Sequence, residues 1–150
     1  MKLRSLVIAA LLLVGCGSQD RGPRWVSVED PYGISFSYVE YGGAQIFSIG
    51  CSEGKAHVSI AAQNPSTETS EVVVHLAGAD RRFAIVNRDL PGVVAEAPLS
   101  DSWIDAVARA ETISVNLAGQ AGGTFELPAN IRTQYAERCR EVLTNPRQFP

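Results

Sequence analysis

From Ile34 onward the apolar positions recur every second residue. Ile34, Phe36 and Tyr38 alternate with Ser35, Ser37 and Val39, and two more runs, 46–51 and 55–63, are split by Ser52-Glu53-Gly54. A period of two sends neighbouring side chains to opposite faces of a strand, and Ser-Glu-Gly supplies turn residues between strands. The following run can be set in register with the preceding one. If 55–62 and 70–77 form a hairpin, Val58 meets Val74, Ile60 meets Val72 and Ala56 meets Leu76. One face is then wholly apolar, the condition that fixes register in a half-buried sheet. Residues 82–87 offer Phe83 and Ile85 as a further strand. Residues 92–97 read as an edge strand or an irregular connection, because Pro91 and Pro98 flank them and proline cannot donate to a ladder.

The period then lengthens. Ser102-Trp103-Ile104-Asp105 has the form of a capping box, and Trp103, Val107 and Ala110 recur at helical spacing, which predicts a short helix over 101–110. Ile113, Val115 and Leu117 return to strand periodicity over 112–118. A Gly-rich loop, 119–123, is expected to turn the chain so that Phe125 faces Leu117 and Leu127 faces Val115. Over 128–143 a last helix places Ile131, Tyr135, Cys139 and Val142 on one stripe, with Arg132, Glu137, Arg138, Arg140 and Glu141 off it. The expected fold class is α+β, mostly antiparallel β: a sheet or sandwich with a short helix and a C-terminal helix packed on it. Residues 25–150 read as a single domain.

The beginning of the chain follows neither period. Lys2 and Arg4 precede nine apolar residues, Leu6 to Val14, and Gly15-Cys16 follows. Nine helical residues rise about 14 Å, too little for a hydrocarbon core of about 30 Å, so the run is an export signal rather than a membrane span. Leu13-Val14-Gly15-Cys16 resembles the lipobox of bacterial lipoproteins. That resemblance implies a diacylglyceryl group on the Cys16 thiol, cleavage after Gly15 and a membrane anchor of two or three acyl chains. Such an anchor is effectively permanent, whereas a single chain is not. Gly17 stands where an inner-membrane lipoprotein of enteric bacteria carries Asp, which favours the outer membrane. The competing reading is an ordinary secretory signal cut after Gly17. Residues 1–15 are thus assigned as signal peptide, and 16–24, polar and rich in Gly, as lipidated N-terminus and tether.

This assignment changes the composition. The 150 residues carry 13 Lys+Arg against 16 Asp+Glu; removing 1–15, with Lys2 and Arg4, leaves 11 basic side chains against 16 acidic ones, a net charge of −5. No basic field remains to neutralise phosphates, so nucleic acid is not an expected partner. Lipidation of Cys16 also leaves Cys51 and Cys139, an even number in an oxidising compartment, and a disulfide between them is the simplest outcome. Two separate buried thiols are the alternative. Neither cysteine sits in a Cys-x-x-Cys pair, which leaves redox catalysis and structural zinc without support.

Catalytic motifs are scarce. There is no Gly-x-Ser-x-Gly, His-Glu-x-x-His, phosphate loop or Gly-x-Gly-x-x-Gly. Ser52-Glu53-Gly54-Lys55 matches Ser-x-x-Lys, but no Lys-Thr-Gly follows and Gly54 marks a turn where the penicillin-binding enzymes need a helix. In the 55–62/70–77 hairpin His57 and His75 fall opposite each other, a pair able to chelate a transition metal if Glu71 or Asp80 came near; otherwise they are two solvated histidines. No cofactor is indicated. Arg81-Arg82 reads as an exposed turn, with anionic lipid or glycan as its alternative contact. Trp25 and the tyrosines are candidates for an exposed binding face, while Ile34, Phe36 and Tyr38 read as core.

A broader resemblance rests on element order. A strand ending at Cys51, a turn and a strand, then Ile113 to Leu117, a Gly-rich turn, Thr124 to Leu127 and a terminal helix with Cys139 resemble the VasI type of small secreted β-sandwich protein associated with type VI secretion. Trp25 and Asp30 stand loosely where that family carries Trp and Asp landmarks, and the resemblance implies a fold rather than a role. The functional expectation is a non-enzymatic envelope lipoprotein, periplasm-facing and held to the membrane through Cys16, that binds an envelope protein or glycan. The alternatives are an inhibitor of lysozyme or another envelope hydrolase, and a metal-binding protein or enzyme using His57 and His75.

Overall fold

The computed structural model describes residues 22–30, 33–61, 68–88, 92–117 and 120–145. Nine strands, β1 (Arg24–Asp30), β2 (Gly33–Val39), β3 (Gln45–Ser52), β4 (Lys55–Ala61), β5 (Glu71–Leu76), β6 (Ala79–Asn87), β7 (Gly92–Pro98), β8 (Thr112–Leu117) and β9 (Gln120–Glu126), form one antiparallel sheet. Its order is β1-β2-β3-β4-β7-β6-β5-β8-β9. Among the described residues two α-helices, α1 (Asp101–Arg109) and α2 (Ala129–Thr144), and a short 3-10 turn at Tyr41–Gly43 accompany the sheet. The class is α+β with the sheet dominant, as the alternation implies. No described helix is long and apolar enough to cross a membrane.

The sheet curls so that its inner face makes the core. Cross-strand registers align the alternating apolar residues in rows: Phe36, Ile49, Val58 and Ala95 are consecutive partners across β2, β3, β4 and β7, and Leu117, Val72 and Phe83 across β8, β5 and β6. All but Leu117 are essentially inaccessible, and Leu117 is nearly so. Burying a full Val, Ile or Phe side chain contributes roughly 1.5–3 kcal/mol, so these rows are the main source of stability. The helices pack on the same face: Trp103, Ile104 and Val107 of α1 and Ile131, Tyr135, Cys139 and Val142 of α2 join the core.

The pairing departs from the expected hairpin. β4 lies between β3 and β7, β5 lies between β6 and β8, and two strands separate them. The apolar faces of β4 and β5 are real, but Val58 finds Ile49 and Ala95, and Val74 finds Arg81 and Val115. Any strand with the same alternation satisfies that face, so the pattern could not choose the partner. The connection over 62–67 lies outside the described residues.

The expected edge strand is the middle one of the nine. β7 pairs with β4 along its whole length, and Val93, Ala95 and Ala97 are buried. Pro98 occupies the last strand position, where a missing N–H interrupts nothing further along the ladder. The β8/β9 register also differs: Phe125 faces Ile113 and Gly123 faces Val115, with a shift between Val115 and Asn116. Gly122 and Gly123 belong to β9 rather than to a loop, and Gly123 takes a φ of 121° that suits glycine.

The helix cap lies two residues earlier than the capping box suggests. Ser100 is the N-cap, its hydroxyl accepting from Trp103 N–H at 3.3 Å, while Asp105 pairs with Arg140 of α2 at 2.6 Å. β1 begins at Arg24, inside the expected tether, and pairs with β2 from Arg24↔Val39 to Asp30↔Gly33.

Strand packing at β2 and β3 leaves no room beside Gly33, where a Cβ would lie 1.8 Å from the carbonyl oxygen of Cys51. Gly33→Ala is therefore expected to lower the unfolding free energy by about 3 kcal/mol or more. Gly22→Ala, whose Cβ would make an ordinary 3.5 Å contact with Tyr41, is expected to change it by less than about 0.5 kcal/mol. Urea denaturation of both variants measures the difference.

Candidate binding groove

Four aromatic rings converge where the first and last strands meet. The β1/β2/β3 ladder sets Trp25 beside Tyr38 and Tyr38 beside Phe47. Phe125, brought in on β9, stacks on Phe47 with 4.8 Å between centroids and lies 5.1 Å from Tyr38. Trp25 meets Tyr38 and Phe47 edge-on, at 5.6 and 6.2 Å. Such offset and T-shaped pairs add about 0.5–1.5 kcal/mol each beyond the area they bury. Trp25 Nε1–H donates to the carbonyl of Glu126 at 2.8 Å, tying β1 to β9, which share no ladder.

Beside this cluster opens a groove of about 620 Å³. It is lined by Pro23, Arg24 and Trp25 at the head of β1, Tyr38 of β2, Thr124, Phe125 and Glu126 of β9, and Pro128, Asn130 and Ile131 at the start of α2. Trp25 and Tyr38 are partly buried, whereas Phe125 is buried. Sequence reasoning placed Trp25 as a candidate for a binding face and read Tyr38 as core; the structure leaves Tyr38 partly exposed and sets it beside Trp25 in the groove lining. It missed Thr124, Glu126 and Asn130, which no motif marks and which only the β9–α2 connection carries to the site.

The helices that frame the groove are locked by a buried polar chain. Trp103 Nε1–H of α1 donates to Tyr135 Oη of α2 at 2.8 Å, and Tyr135 Oη donates to the Gly50 carbonyl of β3 at 3.4 Å. Tyr135 is fully buried, and that burial pushes its phenol well above the usual tyrosine range, against smaller opposing effects of the Trp103 hydrogen bond and the Arg81 charge. One turn further along α2, Cys139 is bonded to Cys51 of β3, with a sequence separation of 88. The sequence named both partners, and the chain-entropy model gives a closed loop of that length about 4–5 kcal/mol of stabilisation.

The other candidates lie apart. His57 sits on β4 with its ring over Gly50, where a Cβ would come within 2.2 Å of Nε2, and His75 sits on β5 with Nδ1 2.8 Å from Asp80 Oδ1. The expected cross-strand pair does not form because β7 and β6 lie between the two strands. Glu71, the other suggested third ligand, pairs with Arg82 at 2.8 Å, and the described residues contain no cluster of three metal-ligating side chains. Lys55 of the Ser-x-x-Lys match is bound to Glu96 at 2.7 Å, which raises its pKa.

Arg82 is exposed, as a turn residue would be, but Arg81 is not. Strand alternation turns Arg81 to the inner face with Phe83, where its guanidinium lies 5.3 Å from the Trp103 ring centroid, donates to Ser100 Oγ at 3.3 Å and to the Pro98 carbonyl, and has its pKa lowered by desolvation. A second cavity, about 280 Å³, lies beside Gln45, Ser59, Asn87 and Val94. Gln45 there bridges Ser37 and Ser59, at 3.1 and 2.9 Å, along a row of serines on the outer face. Cys16 lies outside the described residues.

No family model matches this chain, and no curated protein matches it. Among solved structures it is similar in fold to invasion associated protein B from Bartonella henselae. The TM-score is 0.51 over 79% of this chain and 99% of that one, at 8% sequence identity. At that identity the likeness concerns the fold alone.

The Tyr135 arrangement carries a pH signature. The folded state holds the phenol protonated beyond the unfolded value of about 10, so its contribution is complete below about pH 10 and is lost as the pH rises above it. Urea midpoints between pH 8 and 11 are expected to fall more steeply for the wild-type chain than for Tyr135→Phe. Parallel slopes would contradict the burial of that hydroxyl.

Proposed function

We propose that this chain is a lipid-anchored module of the bacterial envelope that acts by binding, with the groove beside Trp25 as its docking site. The observation that carries this reading is one of position. The groove is lined by Pro23 and Arg24, at the head of β1, and the lipobox cysteine precedes Pro23 by only seven residues. The segment from Cys16 to Pro23 spans at most about 25 Å when extended, so the anchor holds the groove close to the membrane that carries it. A disulfide-stapled body is suited to the oxidising envelope. The catalytic alternative leaned on His57 and His75 acting together, and their separation by two strands removes its geometric basis.

Two measurements test the reading. In a bacterial host the full chain is expected to fractionate with membranes and to incorporate labelled palmitate, and Cys16→Ser is expected to lose the label; a Cys16→Ser chain that still carried it would overturn the anchor. A photo-crosslinking residue at Thr124 is expected to capture an envelope component that the same residue at Ala84, exposed on β6, does not. Equal capture at both positions would remove the groove as the docking site.

A further inference from the structure

We infer that the groove takes a neutral saccharide, a mono- or disaccharide unit of an envelope glycan. This inference rests on the binding-module reading and names its ligand class.

Charge narrows the choice first. Arg24 and Glu126 contribute one charge of each sign, so the lining itself carries no net charge to select an anion or a cation. Those charges, with Thr124 and Asn130, also disfavour an acyl chain, which would desolvate them without offering a hydrogen bond in return.

Shape narrows it further. An extended peptide binds a sheet edge through a run of backbone hydrogen bonds. Only the first two residues of β1 and the last three of β9 reach this groove, and the Glu126 carbonyl is already engaged by Trp25. That is too short a stretch for a ladder. The volume of about 620 Å³ falls within the roughly 300–1,000 Å³ of small-ligand sites.

Chemistry then selects the saccharide. A sugar ring has faces of C–H bonds that stack on the negative face of an aromatic ring, and a rim of hydroxyls that need donors and acceptors together. Trp25 and Tyr38, the partly exposed aromatic residues of the lining, supply the rings. The Asn130 amide, the Thr124 hydroxyl and the Glu126 carboxylate supply both kinds of polar group around them. The short tether holds this set near the membrane surface, where envelope glycans are attached or lie close.

The test is a titration of the purified lipidated protein in micelles of a detergent without a sugar headgroup. Chitobiose and maltose serve as probes, a neutral tripeptide serves as control, and tryptophan fluorescence is the readout. Trp25 lines the groove whereas Trp103 is buried on the core-facing side of α1, so a ligand in the groove reports through Trp25. A saturable shift with at least one saccharide and none with the tripeptide is expected. Binding should weaken about tenfold in Tyr38→Ala, the loss of one stacking contact. It should also weaken in Asn130→Ala, whose exposed side chain can be removed without disturbing the core. Absence of a shift with either saccharide overturns the saccharide assignment. If Thr124 crosslinks persist in that case, the binding-module reading stands with a different ligand. If they also fail, both readings fall. A saccharide shift that Asn130→Ala and Tyr38→Ala leave unchanged places the sugar elsewhere and overturns the inference.

Discussion

The attachment of helix α2 to strand β3 is the constraint on which the remaining architecture depends. Two neighbouring contacts make it: the Cys139–Cys51 bond and the Tyr135 hydroxyl between Trp103 and the Gly50 carbonyl. A curled nine-stranded sheet has an inner face to cover, and α2 covers the β2/β3 part of it while holding α1 by Trp103 and by the Arg140–Asp105 pair. Because α2 follows β9 directly, fixing the helix also fixes where β9 ends. That in turn brings Glu126 within reach of Trp25 and Phe125 onto Phe47. The groove is thus a consequence of the clamp rather than of any local motif.

The same dependence explains what the sequence showed and what it did not. Alternation at Ile34-Phe36-Tyr38, Ala56-Val58-Ile60 and Val72-Val74-Leu76 located strands and their buried faces, because burial of alternate side chains is a local property. Pairing is not local. The apolar face of β4 fits β5 as well as it fits β7, and only the chain connections decide between them. Pro91 and Pro98 argued for an edge, but Pro98 stands at the strand terminus, where a proline withholds a donor only as the ladder is ending anyway. Arg81 shows the converse error: a charged doublet reads as solvent-exposed, although strand period obliges one member of it to point inward, where Trp103 receives it.

For the site, Trp25 was recognisable as an aromatic candidate for a binding face, whereas Tyr38 continues the Ile34-Phe36 alternation and read as core. Their polar companions were not recognisable, since Thr124, Glu126 and Asn130 lie about a hundred residues away in sequence and reach the groove only through the β9–α2 junction. The two cysteines were recognisable by arithmetic, once the lipobox had claimed the third. The tethered module proposed above would need little more than this: a rigid body whose docking surface keeps its shape and an anchor that restricts where that surface can search.

The central claim is that the α2 clamp shapes the groove, and hydrogen exchange of the full chain before and after disulfide reduction tests it most directly. The account predicts that reduction speeds amide exchange in α2 and at the seam of β1 with the end of β9, while β4, β7 and β6 keep their protection. Unchanged exchange at the seam, with α2 alone loosened, would contradict it.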